Sequence, residues 1–218
     1  MKQSTGITVT LKAAASVDGK IATGTGHSKW VTGDVARRKA HQLRHENDAI
    51  LVGINTILTD DPGLTVRGIE KGRSPVRIVL DSKARIPEQS RVFQNDSVPV
   101  IIFTGSQAPS RNWPERAELK IFRAPTETPD ILWVLSELKK HGLKSLLVEG
   151  GSLIHASFLK SKSVDHLALF MAPKIIGGQD SLSWCGDINV ENVNDACQLD
   201  ISSITPLGED WLILAKLK

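Results

Sequence analysis

The sequence predicts an α/β fold with a central, mostly parallel mixed sheet between two layers of helices. Residues 49–52 form a short apolar run without polar alternation, which is typical of a strand covered on both faces. Similar runs alternate with segments of helical periodicity, and interleaved strands and helices favour a layered α/β domain. Because the 218 residues contain no repeat and no low-complexity linker, we expect a single domain over residues 1–218.

The elements of the first hundred residues follow from local signals. An apolar run predicts a strand over residues 7–15, and Asp18-Gly19 after it is a strong turn signal. Thr32 is expected to cap a helix over residues 34–45. The apolar stripe of that helix holds Ala36, Ala40 and Leu43. Further apolar runs predict strands at residues 49–52, 76–81 and 98–103.

The second half of the chain continues this alternation. Residues 130–141 show the spacing of an amphipathic helix, which Gly142 is well placed to end. The remaining predicted elements are a strand at 145–148, a helix at 152–160, and strands at 166–171 and 211–217. Because no helix follows the last strand, we expect it to form an antiparallel edge hairpin with residues 201–204.

The composition is that of an ordinary soluble protein, with 40% hydrophobic and 23% charged residues. No apolar run reaches the length of a bilayer span, and the first residues lack the apolar core of a signal peptide. Cys185 and Cys197 show no disulfide or metal spacing, so a cytoplasmic location is expected. The net charge of +3 suits an anionic small ligand. With 5% aromatic residues and no Tyr, base stacking is poorly supplied, so we expect no nucleic-acid and no membrane partner.

Residues 48–67 hold the first candidate site. After the apolar run breaks at Gly53, polar side chains follow closely at Thr56, Asp60, Asp61, Thr65 and Arg67. Open α/β sheets bind their ligands just past the carboxyl ends of the strands. The alternative interpretation is a solvated loop with an Asp-Pro-Gly turn.

Residues 146–154 hold the second candidate site. A predicted strand ends in Glu149, Gly150 and Gly151, and a helix opens at Ser152. Glycines let a ligand approach the backbone closely, and a helix N-terminus favours a phosphate. A plain strand-to-helix turn explains the glycine pair equally well. The carboxylate is harder to dismiss, because a charge beside a buried turn requires a partner.

Three cationic residues complete the candidate sites. Lys12 interrupts an apolar strand beside three alanines, whose small side chains would admit a flat ligand. Strand lysines usually face outward, so a surface position is the alternative. Arg44 borders the apolar stripe of the first helix and would form a phosphate clamp together with Arg67. We expect Lys12, Arg67 and Glu149 to converge at one rim of the sheet.

Several familiar motifs are missing. Gly24-Thr25-Gly26 starts like a dinucleotide fingerprint, but Lys29 stands where a third glycine or alanine is needed. The sequence also lacks a P-loop and a Gly-x-Ser-x-Gly elbow. His41 and His45 are interpreted as surface helix residues, since no third metal ligand stands out, and no metal is expected. The Arg37-Arg38-Lys39 run is most simply a solvated helix face.

Taken together, these segments resemble the reductase domain of riboflavin biosynthesis, a family with a dihydrofolate-reductase-like fold. Its motifs include Ser-x-Asp-Gly-Lys, Ser-x-Trp and Val-Glu-Gly-Gly, and they run in family order over most of the chain. The matching segments are residues 12–22, 28–32, 41–44, 48–67, 75–82, 148–151 and 172–178. The resemblance is weakest between residues 111 and 130 and after residue 179.

The resemblance implies an enzyme that reduces a phosphoribosylamino-pyrimidine with NADPH, delivering hydride to the sugar carbon next to the amine. The implied cofactor-binding residues are Ala14, Trp30, Thr56, Asp60, Ser82, Gly150, Gly151, Ser152, Leu153, Ile154 and Ser157. The implied substrate-binding residues are Ser28, Arg44, Leu64, Arg67 and Glu149. Lys12 is implied to polarise or protonate the opened sugar or to anchor the substrate, and Glu149 is the second catalytic candidate. Ser82, Lys83 and Arg85 would meet the 2′-phosphate that distinguishes NADPH.

The expected substrate is 5-amino-6-(5-phosphoribosylamino)uracil, towards which the Ser-x-Trp motif points. One alternative keeps the fold and cofactor but acts on the diamino-pyrimidinone precursor or another pterin or pyrimidine. A second alternative is a non-catalytic nucleotide-binding module. Many bacterial relatives also carry a zinc deaminase domain, whose signature this sequence lacks, and the initial Met1 favours a stand-alone reductase. The family further implies a homodimer, consistent with an exposed edge strand.

Overall fold

The structure is a computed structural model that describes residues 5–94, 97–116 and 118–218. Met1, on which the stand-alone interpretation depends, lies outside these residues. The chain divides into two compact units. We call residues 8–40 and 152–218 the terminal unit, and residues 5–7 and 41–151 the central unit.

The described residues form nine strands and four α-helices. The strands are β1 (Thr8–Ser16), β2 (Ala49–Gly53), β3 (Val76–Leu80), β4 (Val100–Thr104), β5 (Leu119–Arg123), β6 (Ser145–Val148), β7 (His166–Ala172), β8 (Leu199–Leu207) and β9 (Asp210–Leu217). The helices are α1 (Asp34–Glu46), α2 (Ile54–Asp60), α3 (Ile131–Lys140) and α4 (Ser152–Lys160). Within the described ranges, no helix is both long and apolar enough to cross a membrane.

The central unit is built on five strands in the order β5-β4-β3-β2-β6, and each neighbouring pair is parallel. Every residue of β2 and β4 is buried, as expected for strands covered on both faces. An apolar core joins these strands to α2 and to the segments after α2 and β3. Its buried members are Ile50, Val52, Ile54, Ile57, Leu64, Val79, Ile86, Val92, Val100 and Ile102.

The terminal unit contains four strands in the order β1-β7-β9-β8. β1 and β7 are parallel, whereas β9 runs antiparallel to both β7 and β8. Along β1, buried residues alternate with half-buried ones, so Lys12 and Ala14 share one face. β8 is the outermost strand and is largely exposed.

The predicted α/β class, with a mostly parallel mixed sheet and antiparallel strands at the C-terminus, is confirmed. The helix at 152–160 and the strand at 145–148 have the predicted bounds. Asp130 caps α3, because its side chain accepts a hydrogen bond from the Trp133 backbone N–H at 3.0 Å. The turn after β1 also forms, and Gly19 supplies its positive φ of 78°.

Three features differ from the prediction. The cap of α1 is Gly33 and not Thr32, because the Gly33 carbonyl accepts the first helical hydrogen bond from Arg37. The sequence analysis missed α2, a helix of seven residues that starts directly after β2 without a break. It also missed β5, whose residues are only half-buried or exposed and therefore lack a clear apolar run.

Candidate active site

The candidate site of the central unit lies past the carboxyl ends of β3, β2 and β6. These strands are adjacent and parallel, so the residues that follow them gather at one edge of the unit. Thr56 and Asp60 lie on α2 after β2, Ser82 follows β3, and Glu149 follows β6. The position is where doubly wound sheets bind ligands.

Arg44 and Glu149 form an ion pair with two hydrogen bonds at this edge. Arg44 Nε donates to Glu149 Oε1 at 2.7 Å, and Arg44 Nη2 donates to Glu149 Oε2 at 2.9 Å. Arg44 Nη1 also donates to the Thr65 carbonyl oxygen at 3.1 Å. The Arg44 side chain is 16% exposed and that of Glu149 is 7% exposed, so the pair is largely shielded from water. Such a fork fixes both side chains in one geometry.

The electrostatics of this pair favour the charged forms. Burial opposes the positive charge of Arg44, but the Glu149 carboxylate and its hydrogen bonds outweigh burial and raise the Arg44 pKa. Both Glu149 oxygens accept hydrogen bonds from Arg44, which fits an ionised carboxylate. The carboxylate predicted to require a partner therefore has Arg44 as that partner.

The segment 61–67 is a loop after α2, and His41 holds its far end. The Arg67 backbone N–H donates to His41 Nδ1 at 3.3 Å, while the Arg67 side chain is exposed. Leu64 has a positive φ of 51° and is only 3% exposed, because its side chain packs into the core. The Leu64 side chain is therefore buried, and its predicted substrate contact stays a prediction.

Burial is the main cause that lowers the pKa of His41, and the charges of Arg44 and Arg67 lower it further against the opposing effect of Glu149. A neutral imidazole is the form that can accept the Arg67 N–H at Nδ1. His45, one turn along α1, accepts the Arg73 N–H in the same way at 3.0 Å. His41 and His45 thus hold the two ends of the segment from Arg67 to Arg73.

The two glycines after Glu149 serve different purposes. A Cβ on Gly150 would lie 2.5 Å from Val52 Cα and 2.7 Å from the Gly53 nitrogen, so backbone packing requires glycine there. Gly151 has a positive φ of 61°, but a Cβ would meet only Thr56 Oγ1, at 3.7 Å. A side chain at position 151 would therefore make only an ordinary van der Waals contact with Thr56, and the predicted cofactor contact at Gly151 stays a prediction.

The loop after β3 is held rigidly. Asp81 is fully buried and accepts the Ile86 backbone N–H at 2.8 Å. Arg85 Nη2 donates to Asn55 Oδ1 on α2 at 3.1 Å, which joins this loop to the residue beside Thr56. Ser82 is half-buried and Lys83 is exposed.

The terminal unit contains the remaining predicted residues. Lys12 Nζ lies 5.5 Å from the centre of the Phe170 ring, a cation–π distance. Ala14 pairs in register with Phe170, so these three residues lie on neighbouring strands. Ser28 is half-buried and Trp30 is exposed.

The predicted residues of α4 occupy its first two turns. Ser152 and Ile154 are half-buried, whereas Leu153 and Ser157 are exposed. The Ser157 hydroxyl donates to the Leu153 carbonyl at 2.9 Å. The roles assigned to these residues by resemblance stay predictions.

The structure also reveals residues that the sequence analysis missed or misjudged. Thr65 is among the predicted candidate site residues, but it contacts Arg44 through its backbone carbonyl, which the side-chain pattern does not reveal. Arg37 is not part of a purely solvated face, because its guanidinium lies 4.2 Å from the centre of the Trp30 ring. Asp18, interpreted as a turn residue, accepts the Ile176 and Gly177 backbone N–H groups at 3.2 and 2.7 Å. It thereby ties the first turn to the segment after β7.

Comparison with known proteins identifies the family. The model of the RibD C-terminal domain matches residues 7–213. The chain belongs to the RibD C-terminal domain family. The resemblance inferred from the motifs is thus confirmed.

Two relatives illustrate the relationship. The riboflavin biosynthesis protein RibD of Bacillus amyloliquefaciens is 40% identical over 209 residues, covering 95% of this chain and 56% of that protein. The 2,5-diamino-6-ribosylamino-4(3H)-pyrimidinone 5′-phosphate reductase of Methanothermobacter thermautotrophicus is 39% identical over 208 residues, covering 94% of this chain and 95% of that protein. The chain therefore spans about half the length of the Bacillus protein and nearly all of the Methanothermobacter one.

Solved structures agree with this family and fold. A Thermotoga maritima diaminohydroxyphosphoribosylaminopyrimidine deaminase/5-amino-6-(5-phosphoribosylamino)uracil reductase has a TM-score of 0.82 and 30% identity, covering 97% of this chain and 57% of that one. Dihydrofolate reductase from Enterococcus faecalis has a TM-score of 0.53 at 10% identity, covering 98% of each chain. The second comparison concerns the fold alone and confirms the expected dihydrofolate-reductase-like fold of the RibD C-terminal domain.

Proposed function

We propose that the chain reduces the ribosyl group of 5-amino-6-(5-phosphoribosylamino)uracil to the ribitylamino product in riboflavin biosynthesis. The observation that carries the proposal is the 39% identity over 208 residues to a relative named as the reductase of the corresponding diamino compound. The family model spans residues 7–213 without interruption, which supports a single reductase domain.

Arg67 is proposed to bind the substrate phosphate. Its side chain is exposed, and His41 anchors its backbone. The guanidinium group therefore stays near the site and is not buried in the core. Arg44 contributes less directly, because its hydrogen bonds to Glu149 and Thr65 occupy most of its N–H donors. We therefore assign the phosphate mainly to Arg67, and Arg44 stays a predicted substrate-binding residue that also orients Glu149.

Glu149 is proposed to accept a hydrogen bond from the pyrimidine or sugar of the substrate. Its ionised form, held by Arg44, is an acceptor and a poor proton donor. The proton required by the reaction is therefore assigned to Lys12, whose ammonium group lies over Phe170. Lys12 also offers the charge that would polarise the opened sugar.

The residues around Gly151 fit a dinucleotide cofactor. The positive φ of Gly151 and the open space beside Thr56 leave room for a phosphate next to the backbone. We propose NADPH as the cofactor, because Lys83 and Arg85 follow the rigid Asp81 turn with cationic side chains suited to a 2′-phosphate. The reduced nicotinamide supplies the hydride when the cofactor is bound.

The proposed chemistry balances with one proton from the protein or solvent. Opening of the sugar ring breaks the bond between C1′ and the ring oxygen, moves the proton of the amine nitrogen to that oxygen as a hydroxyl, and leaves a carbon–nitrogen double bond. Hydride adds to C1′, and the nitrogen takes the proton that Lys12 is proposed to deliver. The protein aligns the reactants and excludes water, as expected for hydride transfer.

A second substrate is supported by a specific observation. The Methanothermobacter relative is covered over 95% of its length, and its name specifies the diamino-pyrimidinone phosphate. Because the deaminated and diamino compounds differ only on the pyrimidine, either would present the same phosphate to Arg67. We retain the uracil as the first candidate.

The test is to mix the purified chain with NADPH and each substrate and to follow absorbance at the reduced nicotinamide band. We expect rapid loss of absorbance with the uracil compound, slower loss with the diamino compound, and weaker activity with NADH. Substrate without its 5′-phosphate serves as the control and should react poorly. A flat trace with both substrates from a folded protein would reject the proposal.

We further propose a cytoplasmic homodimer. Apolar side chains on the outer hairpin support this, since Ile201, Ile204 and Trp211 are 55%, 54% and 43% exposed. Sedimentation should show twice the mass of one chain. A single-chain mass across the working concentration range would contradict the dimer.

A further inference from the structure

Trp30 combines two unusual properties in the terminal unit. The residue is 66% exposed, although Trp is a large apolar residue. Its backbone has a positive φ of 65°, which bulky residues rarely adopt. Backbone strain of this kind persists only where the surroundings impose it, and it clusters at functional sites.

Arg37 holds the indole ring of Trp30. The guanidinium carbon of Arg37 lies 4.2 Å from the ring centre. Its Nη1 atom donates to the Thr32 carbonyl at 2.8 Å, and its Nη2 atom pairs with the Asp34 carboxylate. Arg37 is therefore fixed by two polar partners while its plane packs against Trp30.

Lys174 holds the backbone of the same segment. Its Nζ atom donates to the Trp30 carbonyl at 2.9 Å and to the Val31 carbonyl at 2.8 Å. The Lys174 carbonyl in turn accepts the Val17 N–H at 2.9 Å, which fixes the lysine after β7. Lys174 and Arg37 thus restrain the backbone and the ring of Trp30 separately.

We infer that Arg37 and Lys174 are positioning residues that hold Trp30 as a stacking platform for a flat heteroaromatic ring of the dinucleotide cofactor. One face of the indole lies on Arg37, so the opposite face is the one offered to the ligand. The inference rests on the proposed function and goes beyond it, because it assigns cofactor affinity to two residues that act through Trp30. A fixed ring binds more tightly than a mobile one, since less freedom is lost on binding.

The test is the dissociation constant of NADPH, measured by titration for the wild-type chain and for Arg37→Ala. Arg38→Ala is the matched control, because Arg38 is an exposed neighbour on the same helix. We expect Arg37→Ala to weaken NADPH about 3- to 10-fold, with the substrate KM at saturating NADPH unchanged. Equal NADPH affinity in Arg37→Ala and Arg38→Ala would overturn the inference while leaving the proposed reductase intact.

A second measurement shows whether Arg37 acts through the ring. In a Trp30→Ala background, Arg37→Ala should cause no further loss of NADPH affinity. If Arg37→Ala weakened NADPH there as much as it does in the wild-type chain, the inference would be overturned. Lys174→Met should weaken NADPH and Lys174→Arg should restore it, because arginine keeps the donors for both carbonyls. Failure of this rescue in folded protein would remove Lys174 from the proposal.

The ring that stacks is identified by fragments. A change in Trp30 fluorescence on addition of 2′,5′-ADP would identify the adenine ring as the one that stacks. A change on addition of reduced nicotinamide mononucleotide would identify the nicotinamide ring. Either result supports the platform, provided that Trp30→Phe removes the fluorescence change. Absence of any nicotinamide or adenine ligand binding to the wild-type chain would overturn both the platform and the proposed function.

Discussion

Arg44 and Glu149 meet through two parallel hydrogen bonds of 2.7 and 2.9 Å, although 104 residues separate them between α1 and the end of β6. This contact fixes a carboxylate at the edge where the loops after β2 and β3 also gather. It makes Glu149 an oriented acceptor, and we expect loss of Arg44 to reduce stability and, under the proposed function, to weaken substrate binding.

Glu149→Gln should therefore destabilise the protein as well as weaken the substrate. The change leaves the largely shielded Arg44 charge without its counter-charge, which is expected to cost about 2–4 kcal/mol in free energy of unfolding. Glu88→Gln is the control, because the Glu88–Arg111 pair is 3.4 Å apart and Glu88 is 62% exposed. Denaturant unfolding of both variants measures the difference, and equal stability losses would contradict the account.

Arg67→Ala should act on substrate binding alone. A lost charge-assisted contact to phosphate corresponds to an increase in KM of about 10- to 100-fold, while the exposed side chain contributes little to packing. Lys71→Ala, which removes an exposed cation four residues after Arg67, should leave KM unchanged. Steady-state kinetics decide this, and an unchanged KM for Arg67→Ala would remove it from the site.

Gly150→Ala and Gly151→Ala should separate packing from cofactor binding. At Gly150 the new methyl group would overlap the β2 backbone, so we expect a loss of stability above about 3 kcal/mol. At Gly151 there is space for the methyl group but the positive φ is strained, at a cost of about 1–2 kcal/mol.

Gly151→Ala should also raise the cofactor dissociation constant while the substrate KM stays constant, because the methyl group occupies the space beside Thr56. Gly151→Val should weaken the cofactor further. If both ligands were weakened equally in folded protein, the open space would not be the cofactor position.

Asp18 gives the stability a defined response to acid. The Ser16 hydroxyl and the Gly177 N–H, assisted by the Ile176 N–H, lower the pKa of Asp18 from 3.8 to about 2. Ionised Asp18 therefore stabilises the folded state fully above pH 4, and this stabilisation is lost as the pH falls through about 2. Asp18→Asn should lower the melting temperature at pH 7, and the difference from wild type should shrink below pH 4. A difference that is constant with pH would contradict this.

His41 should also reduce stability as the pH falls, but in a higher pH range than Asp18. Its pKa is lowered from 6.5 in the folded state, so protonation favours the unfolded state as the pH falls below 6.5. His41→Asn keeps an acceptor for the Arg67 N–H but does not titrate. Lowering the pH from 7.5 to 5.5 should therefore reduce the melting temperature of wild type more than that of His41→Asn. An equal reduction in the two proteins would show that titration of His41 does not contribute.

The sequence predicts this fold well where burial is strong and local. The fully apolar residues of β2 and the glycine pair after β6 mark a buried strand and a tight turn without outside information. By contrast, α2 has only seven residues, of which Ile54 and Ile57 are buried, and its polar positions resemble a loop. β5 lacks a buried face, so its pattern is too weak to predict.

The partners within the site are less predictable, because they depend on residues distant in the chain. Gly33 caps α1 in place of Thr32, and its own N–H is satisfied by the buried Asp210 of β9 at 2.7 Å. Arg37 belongs to a basic run that resembles a solvated face, yet its guanidinium packs on Trp30. The periodicity of the sequence predicts which positions are exposed or buried, but it does not predict which side chains contact each other.

Transfer of deuterium tests the central claim most directly. Wild-type protein is mixed with NADPH carrying deuterium at the transferred position of nicotinamide C4, together with the phosphoribosylamino-uracil, and the product is examined by mass spectrometry and NMR. We predict a ribitylamino product with one deuterium at C1′. A folded protein that binds NADPH but yields no deuterated product from either the uracil or the diamino compound would contradict the reductase assignment.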